Sequence, residues 1–351
     1  MKKVLIFYSK TGSGHLRAAE ALKEAIEAQK SDAEVILHEG MEKGRFGIPT
    51  KASALYGHLS NKLQPVYNFL YVMTNNKLGT RALRFLVKKG LGRNLKKVIE
   101  ETKPDLIISV HALLSRSTVK KTTHSVPFIT VVTDLGLPHR IWFDEEAEMI
   151  ITPTRSIAEA ARRLAKNTRK VEAIDYPLKK QFTQRHLGRK FNNTILVLGG
   201  GEGAGDIKKQ TEVLLRDSNR MLVVVCGKNK RLYKKLSGID NPRLKVFGFV
   251  DNLPELYNRS DIVITKAGPG TIVEAATLKK PLIITSWVGI QERDNVEFVT
   301  ENNLGIYEPK IENLGRAVEK IYQNYDYYNR GQSFFQNGSK KIVEYILKEY
   351  D

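Results

Sequence analysis

GFVDNLPELYNRSDIVITKAGPGTIVEAA, Gly248 to Ala276, decides the architecture. Its apolar run DIVITK stops at a Gly-Pro-Gly turn, and the residues beyond have helical spacing. A buried strand, a glycine turn and a helix in that order form the repeating unit of a parallel α/β sheet. Working outward, the second half carries further short β-branched runs at Ile195 to Leu198, Leu222 to Cys226, Lys245 to Phe247 and Leu282 to Thr285. Helical stretches such as Ile207 to Arg216 and Thr271 to Leu278 separate them. The first half repeats the alternation with strands at Val4 to Tyr8, Val35 to Leu37, Leu106 to Val110, Phe128 to Val132 and Met149 to Ile151. The spacing predicts two α/β domains, 1–178 and 194–330, joined by a linker at 179–193 that contains Gly188 and scattered Lys and Arg. Residues 331–351 are expected to form a helix that packs back on the first domain.

Length and charge bound the function. A chain of 351 residues is too long for one comfortable core. Its 57 Lys and Arg against 38 Asp and Glu give a formal charge of +19, which favours polyanionic partners such as an anionic membrane surface or nucleic acid. The single cysteine, Cys226, excludes an intramolecular disulfide framework and fits a reducing cytoplasm. After Met1-Lys2-Lys3 the apolar run Val4 to Tyr8 is too short for a secretory segment. No stretch approaches the roughly 20 apolar residues of a membrane span, so any membrane association is expected to be peripheral.

One segment breaks the alternation. From Lys43 to Ile99 there is no Asp or Glu, while twelve basic residues occur, among them Arg81, Arg84, Lys88 and Lys89. The aromatics Phe46, Tyr56, Tyr67, Phe69, Tyr71 and Phe85 are interleaved with them. Leu83, Val87, Leu91, Leu95 and Val98 recur at helical spacing, although Arg84 projects onto that apolar face. A basic, aromatic, partly amphipathic segment suits an anionic bilayer interface, and a solvated basic face is the plain alternative.

Three motifs carry chemistry. Thr11-Gly12-Ser13-Gly14-His15 follows the first strand and opens a helix, which makes an anion site of unpaired amides. It lacks the third glycine of a dinucleotide fingerprint and the Lys-Ser/Thr of a P-loop. At a helix start the dipole disfavours imidazolium, so His15 is expected to stay neutral and able to act as a general base; otherwise it only caps the helix. Thr133-Asp134 to Phe143 follows the strand FITVVT, at the edge where ligands meet such sheets, so Asp134 and His139 can face the site beside the apolar Trp142. These two have too few partners for a metal. In the third motif Gly268, Pro269, Gly270 and Thr271 lead into a helix and suit a diphosphate. Glu274 cannot favour phosphate, and its carboxylate is better explained as an acceptor for ribose hydroxyls. Downstream, Gln291, Glu292 and Asn295 supply polar groups for a sugar.

With these residues in view, the chain resembles the monogalactosyldiacylglycerol synthases and processive diacylglycerol glucosyltransferases, relatives of the bacterial enzyme MurG. The resemblance rests on Thr11 to His15, Thr133 to Trp142, the TKAGPGTIVEAA run and Gln291 to Asn295. It implies a GT-B fold of two Rossmann-like domains facing a cleft, with metal-independent inversion and no cofactor. The donor it implies is a UDP-galactose or UDP-glucose held by the C-terminal domain, and the acceptor diacylglycerol at the cytoplasmic face of the cell membrane. Residue by residue, it places the base on His15 and the acceptor beside Gly12, Ser13, Gly14, Asp134, His139 and Trp142. The nucleotide-sugar falls on Gly200, Gly227, Phe249, Val250, Gly268, Pro269, Gly270, Thr271, Glu274, Gln291, Glu292 and Asn295. Membrane contact falls on Arg81, Arg84, Lys88, Lys89, Tyr67, Phe69 and Tyr71, which ranks anionic lipid above nucleic acid as partner. The competing expectations are a MurG-like transferase, a sugar-nucleotide epimerase, and a non-enzymatic basic protein that binds lipid or nucleic acid.

Overall fold

The computed structural model describes residues 2–10, 12–41, 64–119, 126–183, 192–328, 335 and 338–350. Thr11, Lys43, Phe46, Tyr56 and Gly188, singled out above, lie outside them, as do Arg45, Lys51 and Lys62 of the twelve basic residues. The chain forms two compact units. The first comprises Met1–Lys180, Gly289–Gln291 and Asn337–Asp351, and the second Gln181–Val288 and Glu292–Gln336.

In the first unit, strands β1 (Lys3–Tyr8), β2 (Glu34–Glu39), β3 (Leu106–Ser109), β4 (Phe128–Val131), β5 (Met149–Thr152) and β6 (Lys170–Ala173) form one sheet in the order β2-β1-β3-β4-β5-β6. Every pairing is parallel. The runs are almost continuously apolar because helices cover both faces. Along β1, Val4, Ile6 and Tyr8 join a cluster with Ala18, Leu22 and Ile26 of helix α1 (Gly14–Gln29), whereas Leu5 and Phe7 join Leu91, Leu95 and Ile99 on the opposite face. Helices α2 (Gln64–Thr74) and α3 (Lys77–Thr102) form a hairpin, and α4 (Arg155–Leu164) follows β5.

The second unit contains β7 (Thr194–Leu198), α5 (Ile207–Asp217), β8 (Met221–Val225), α6 (Lys230–Ser237), β9 (Leu244–Phe247), α7 (Leu253–Asn258), β10 (Ile262–Lys266), α8 (Pro269–Thr277), β11 (Leu282–Ser286), α9 (Arg293–Glu301), β12 (Gly305–Tyr307), α10 (Leu314–Gln323) and α11 (Tyr325–Tyr328). Its sheet runs β12-β11-β10-β7-β8-β9, again all parallel. The last helix, α12 (Gly338–Tyr350), belongs to the first unit: Ile342, Val343 and Ile346 are buried with α1, and Lys341 pairs with buried Asp175 at 3.0 Å.

Topology positions the sites. In the first sheet the strand order changes direction between β1 and β3, and in the second between β7 and β10. Loops leaving the carboxyl ends of such strand pairs diverge and open a crevice in which open α/β sheets take their ligands.

Candidate functional site

At the first sheet's switch point, β1 leads through Gly12 (φ +91°) into α1, and His15 is the second residue of that helix. A positive φ of this size strains any residue with a Cβ, so the turn needs glycine. The His15 Nδ1–H donates to the Val110 carbonyl at 2.8 Å, just past β3, and Thr133 Oγ1 lies 3.1 Å from the same nitrogen. A carbonyl only accepts, so Nδ1 carries the proton and Nε2 keeps the lone pair. Burial lowers the His15 pKa to about 4, against the opposing pull of the Val110 carbonyl. The ring is therefore neutral near pH 7, with desolvation the main cause.

Around His15 the structure gathers a buried group. The His111 ring packs edge-on against it at 4.7 Å between centroids, and burial also holds the His111 pKa well below its usual value. His111, which sequence reasoning passed over, stands just past β3, at the same edge of the sheet as the turn that leads from β1 to His15. Trp142 lies 6.3 Å from His15, and its indole N–H donates to Asp134 Oδ2 at 2.7 Å. Trp142 and Phe143 are both buried, so they offer no apolar surface to an acceptor; Trp142 instead fixes the Asp134 carboxylate. His139 also departs from expectation. It caps the 3-10 turn Arg140–Trp142: its Nδ1 accepts the Ile141 N–H at 3.0 Å, and its Nε2 lies 3.2 Å from Thr74 Oγ1. With both ring nitrogens engaged and the ring against Tyr71, His139 ties α2 to the sheet and has no nitrogen left for a ligand.

The second switch point is lined by glycine turns. After β7, Gly200 has φ +69°, and after β8 a Cβ on Gly227 would stand 2.3 Å from the Gly201 carbonyl. The two loops touch only because both lack side chains there. After β10, Gly268 caps α8 and Pro269 occupies its first turn, where a missing N–H costs nothing. The amides that open α8 have no intrahelical acceptor and suit an anion. Glu274 is buried on α8 and accepts the Tyr257 hydroxyl at 3.1 Å, a partner that the sequence reading did not name. Phe249 is 53% exposed and Val250 half-buried just past β9, leaving an aromatic face free.

Farther along, the expected sugar contacts divide. Gln291 lies half-buried in the 3-10 turn Ile290–Glu292. Glu292 is committed on both oxygens: Lys266 pairs with one, and the Val288 N–H donates to the other at 2.8 Å. Asn295 is fully buried and donates to the Ala267 carbonyl at 2.9 Å, so it braces the β10–α8 loop rather than facing a sugar. Among the described residues no group of three or more His, Cys, Asp and Glu side chains could hold a metal ion.

The basic segment resolves into the α2–α3 hairpin, whose tight turn is set by Asn76 capping the Gly79 N–H at 2.9 Å and by Gly79 itself, where a Cβ would meet the Met73 carbonyl at 2.5 Å. Val66, Phe69, Leu70 and Met73 are exposed along one face of α2, and Leu78, Phe85 and Leu86 are exposed on α3. Spacing of three and four residues aligns the first set, and of seven and eight the second. Arg81 and Lys89 share the exposed face of α3, and the Lys89 ammonium sits 4.7 Å from the Phe85 ring. Arg84 does not join them: its guanidinium donates to the Phe143 carbonyl at 2.9 Å and the Ile141 carbonyl at 3.3 Å. Tyr71 likewise turns inward onto His139, and Tyr67 and Lys88 are half-buried. Arg84 interrupts the apolar pattern because it ties α3 to the turn that carries Trp142. No helix of the described residues is long and apolar enough to cross a membrane.

The chain is similar to known proteins along most of its length. The profile of the monogalactosyldiacylglycerol (MGDG) synthase family matches residues 15–177, and that of the glycosyltransferase family 28 C-terminal domain matches 194–346. The chain is 29% identical over 345 residues to the chloroplastic monogalactosyldiacylglycerol synthase of Spinacia oleracea, covering 92% of this chain and 66% of that protein. Against monogalactosyldiacylglycerol synthase 1 of Arabidopsis thaliana it is 29% identical over 355 residues, covering 90% of this chain and 64% of that protein. The chain thus spans about two thirds of the length of these relatives. In fold it matches a glycosyltransferase of kitacinnamycin at a TM-score of 0.66 and 13% identity, covering 100% of this chain and 99% of that one. It matches MurG of Acinetobacter baumannii at 0.59 and 14% identity, covering 99% and 100%. Two parallel sheets with these switch points give the chain the two Rossmann-like units of the GT-B fold, the first similar to the monogalactosyldiacylglycerol synthase family and the second to the glycosyltransferase family 28 C-terminal domain.

Proposed function

We propose that the protein transfers a galactosyl or glucosyl residue from a UDP-sugar to the free hydroxyl of diacylglycerol, with inversion and with no metal or cofactor. The observation that carries this reading is the His15 ring, held neutral with its lone pair on Nε2 at the carboxyl edge of the first sheet. In the reaction the acceptor oxygen attacks the anomeric carbon, its proton passes to His15 Nε2, and the bond to the β-phosphate breaks with its electron pair on the departing oxygen. The α8 amides stabilise the charge that builds there. Glu274, oriented by Tyr257, accepts from the ribose hydroxyls, and Phe249 offers its face to the base. The likeness to synthases named for monogalactosyldiacylglycerol supports galactose and diacylglycerol as first choices.

The membrane is met by the α2–α3 hairpin, which presents Val66, Phe69, Leu70, Met73, Leu78, Phe85 and Leu86 with Arg81 and Lys89 among them. Apolar side chains enter the headgroup region while the cations hold anionic lipid. This peripheral contact is with the cytoplasmic face of the cell membrane and brings the site to its acceptor. The experiment is incubation of the purified protein with diacylglycerol vesicles and either UDP-galactose or UDP-glucose, followed by mass spectrometry of the lipid. A hexosyl-diacylglycerol from one donor is the expected product. Binding of UDP without any glycolipid from either donor would reject diacylglycerol as acceptor.

A further inference from the structure

We propose that Lys266 is the cation that receives the donor's diphosphate and stabilises it as it leaves, with Glu292 as the positioning residue that holds the ammonium in place; this rests on the glycosyl-transfer reading above. Lys266 ends β10, one of the two strands that flank the second sheet's switch point. Continued alternation along β10 would put it on the face of Ile262 and Ile264, which is core. The pairing of β10 with β11 slips between Thr265 and Lys266, so that Lys266 pairs with Ser286. Irregularities of this kind re-aim a side chain beside a site.

The re-aimed side chain lies against both glycine turns. A Cβ built on Gly200 would stand 3.8 Å from Lys266 Cε, and one on Gly268 only 3.2 Å from Lys266 Nζ. The ammonium therefore sits where the β7 loop and the start of α8 come together. The positive end of a helix dipole is an unfavourable place for a cation. Glu292 offsets this: the Lys266 and Glu292 side chains are 17% and 12% exposed, and the Val288 N–H fixes the other carboxylate oxygen. An ammonium, a glycine turn and a helix start converge on one point, an arrangement that suits an incoming dianion better than any group of the protein itself. As the anomeric carbon–oxygen bond breaks, its electron pair stays on the β-phosphate oxygen, and a Lys266 N–H bonded to that phosphate is strengthened in the transition state.

The test is titration calorimetry with UDP and with uridine on wild type, Lys266→Met, Lys266→Gln and Lys266→Arg, each checked by thermal melt. Met keeps the bulk of the stem and Gln keeps a hydrogen bond to Glu292, so one folded neutral variant is enough. Loss of a charge-assisted bond should weaken UDP by about 10- to 100-fold while uridine affinity stays within about twofold. Lys266→Arg should recover most of the UDP affinity, and kcat should fall further than UDP affinity in the neutral variants because the bond strengthens in the transition state. Glu292→Leu, which leaves the ammonium unheld, should weaken UDP and lower kcat, whereas Glu292→Gln, which keeps an acceptor for the ammonium and removes a competing anion, should bind UDP no more weakly than wild type; normal UDP binding and kcat in a folded Glu292→Leu would overturn the positioning role. Equal weakening of UDP and uridine, or normal UDP binding in a folded neutral variant, overturns the assignment of Lys266. Wild-type protein that binds neither ligand overturns the donor reading beneath it.

Discussion

The two sheets share one plan and fill their switch points with opposite chemistry. At the first, the residues that reach the crevice are aromatic and titratable: His15 and His111 edge to face, with Trp142 holding Asp134. At the second they are glycines, helix-start amides and the ion pair of Lys266 with Glu292. The comparison teaches that sheet topology decides where chemistry can occur, while the residues just past the strands decide whether a proton or a phosphate is handled there. If the division of labour holds, damage to the first edge should slow turnover without loosening the nucleotide, and damage to the second should loosen the nucleotide as well as slow turnover.

The largest effect is expected from His15→Ala. General-base work contributes about a hundred- to ten-thousand-fold, so kcat should fall on that scale while calorimetric UDP affinity is unchanged. A fall of only a few-fold would reduce His15 to a helix-start residue. Next, Glu274→Ala should weaken UDP by about 1–3 kcal/mol through the lost charged acceptor. Tyr257→Phe, which only frees the carboxylate it orients, should cost less in the same titration; the opposite ranking would move the ribose contact elsewhere. The smallest effect belongs to the hairpin. Arg81→Gln with Lys89→Gln should lower binding to anionic vesicles by about tenfold, at up to about 1 kcal/mol per cation, and the loss should shrink in high salt. Phe69→Ser with Phe85→Ser should lower it with little salt dependence, because apolar burial is not screened. Flotation assays decide both, and normal flotation of the charge variant would refute electrostatic docking.

Ten strands were legible, eight because each is an almost continuous apolar run of the kind that only a sheet covered on both faces needs, and the edge strands β2 and β9 from their short VIL and KVF stretches. The two that escaped are edges: β6, KVEA, alternates charge with small apolar residues, and β12, GIY, is three residues long. Neither carries a core signal. The loops past the strands were legible as sites, but not the work of each side chain in them. His139, Asn295 and Arg84 are residue types that bind ligands, yet each also satisfies backbone groups, and here they cap a turn, brace a loop and tie a helix. Trp142 looked like a surface for lipid because its burial depends on partners scattered along the chain, from Val132 to Val171. Lys266 was overlooked inside a motif read for its glycines.

The account turns on which nitrogen of His15 keeps its lone pair, and a nitrogen-15 spectrum of the labelled histidine rings reads this directly, with His15→Gln to assign the signal. The folded pKa is about 4, below the ordinary 6.5, so between those values the native ring is neutral where an unfolded one would be charged. The prediction is a proton on Nδ1 and an unprotonated Nε2 from pH 7 down to near pH 4, with the acid limb of kcat close to the same pH. A ring protonated at both nitrogens by pH 6, or one carrying its proton on Nε2, would contradict His15 as the base.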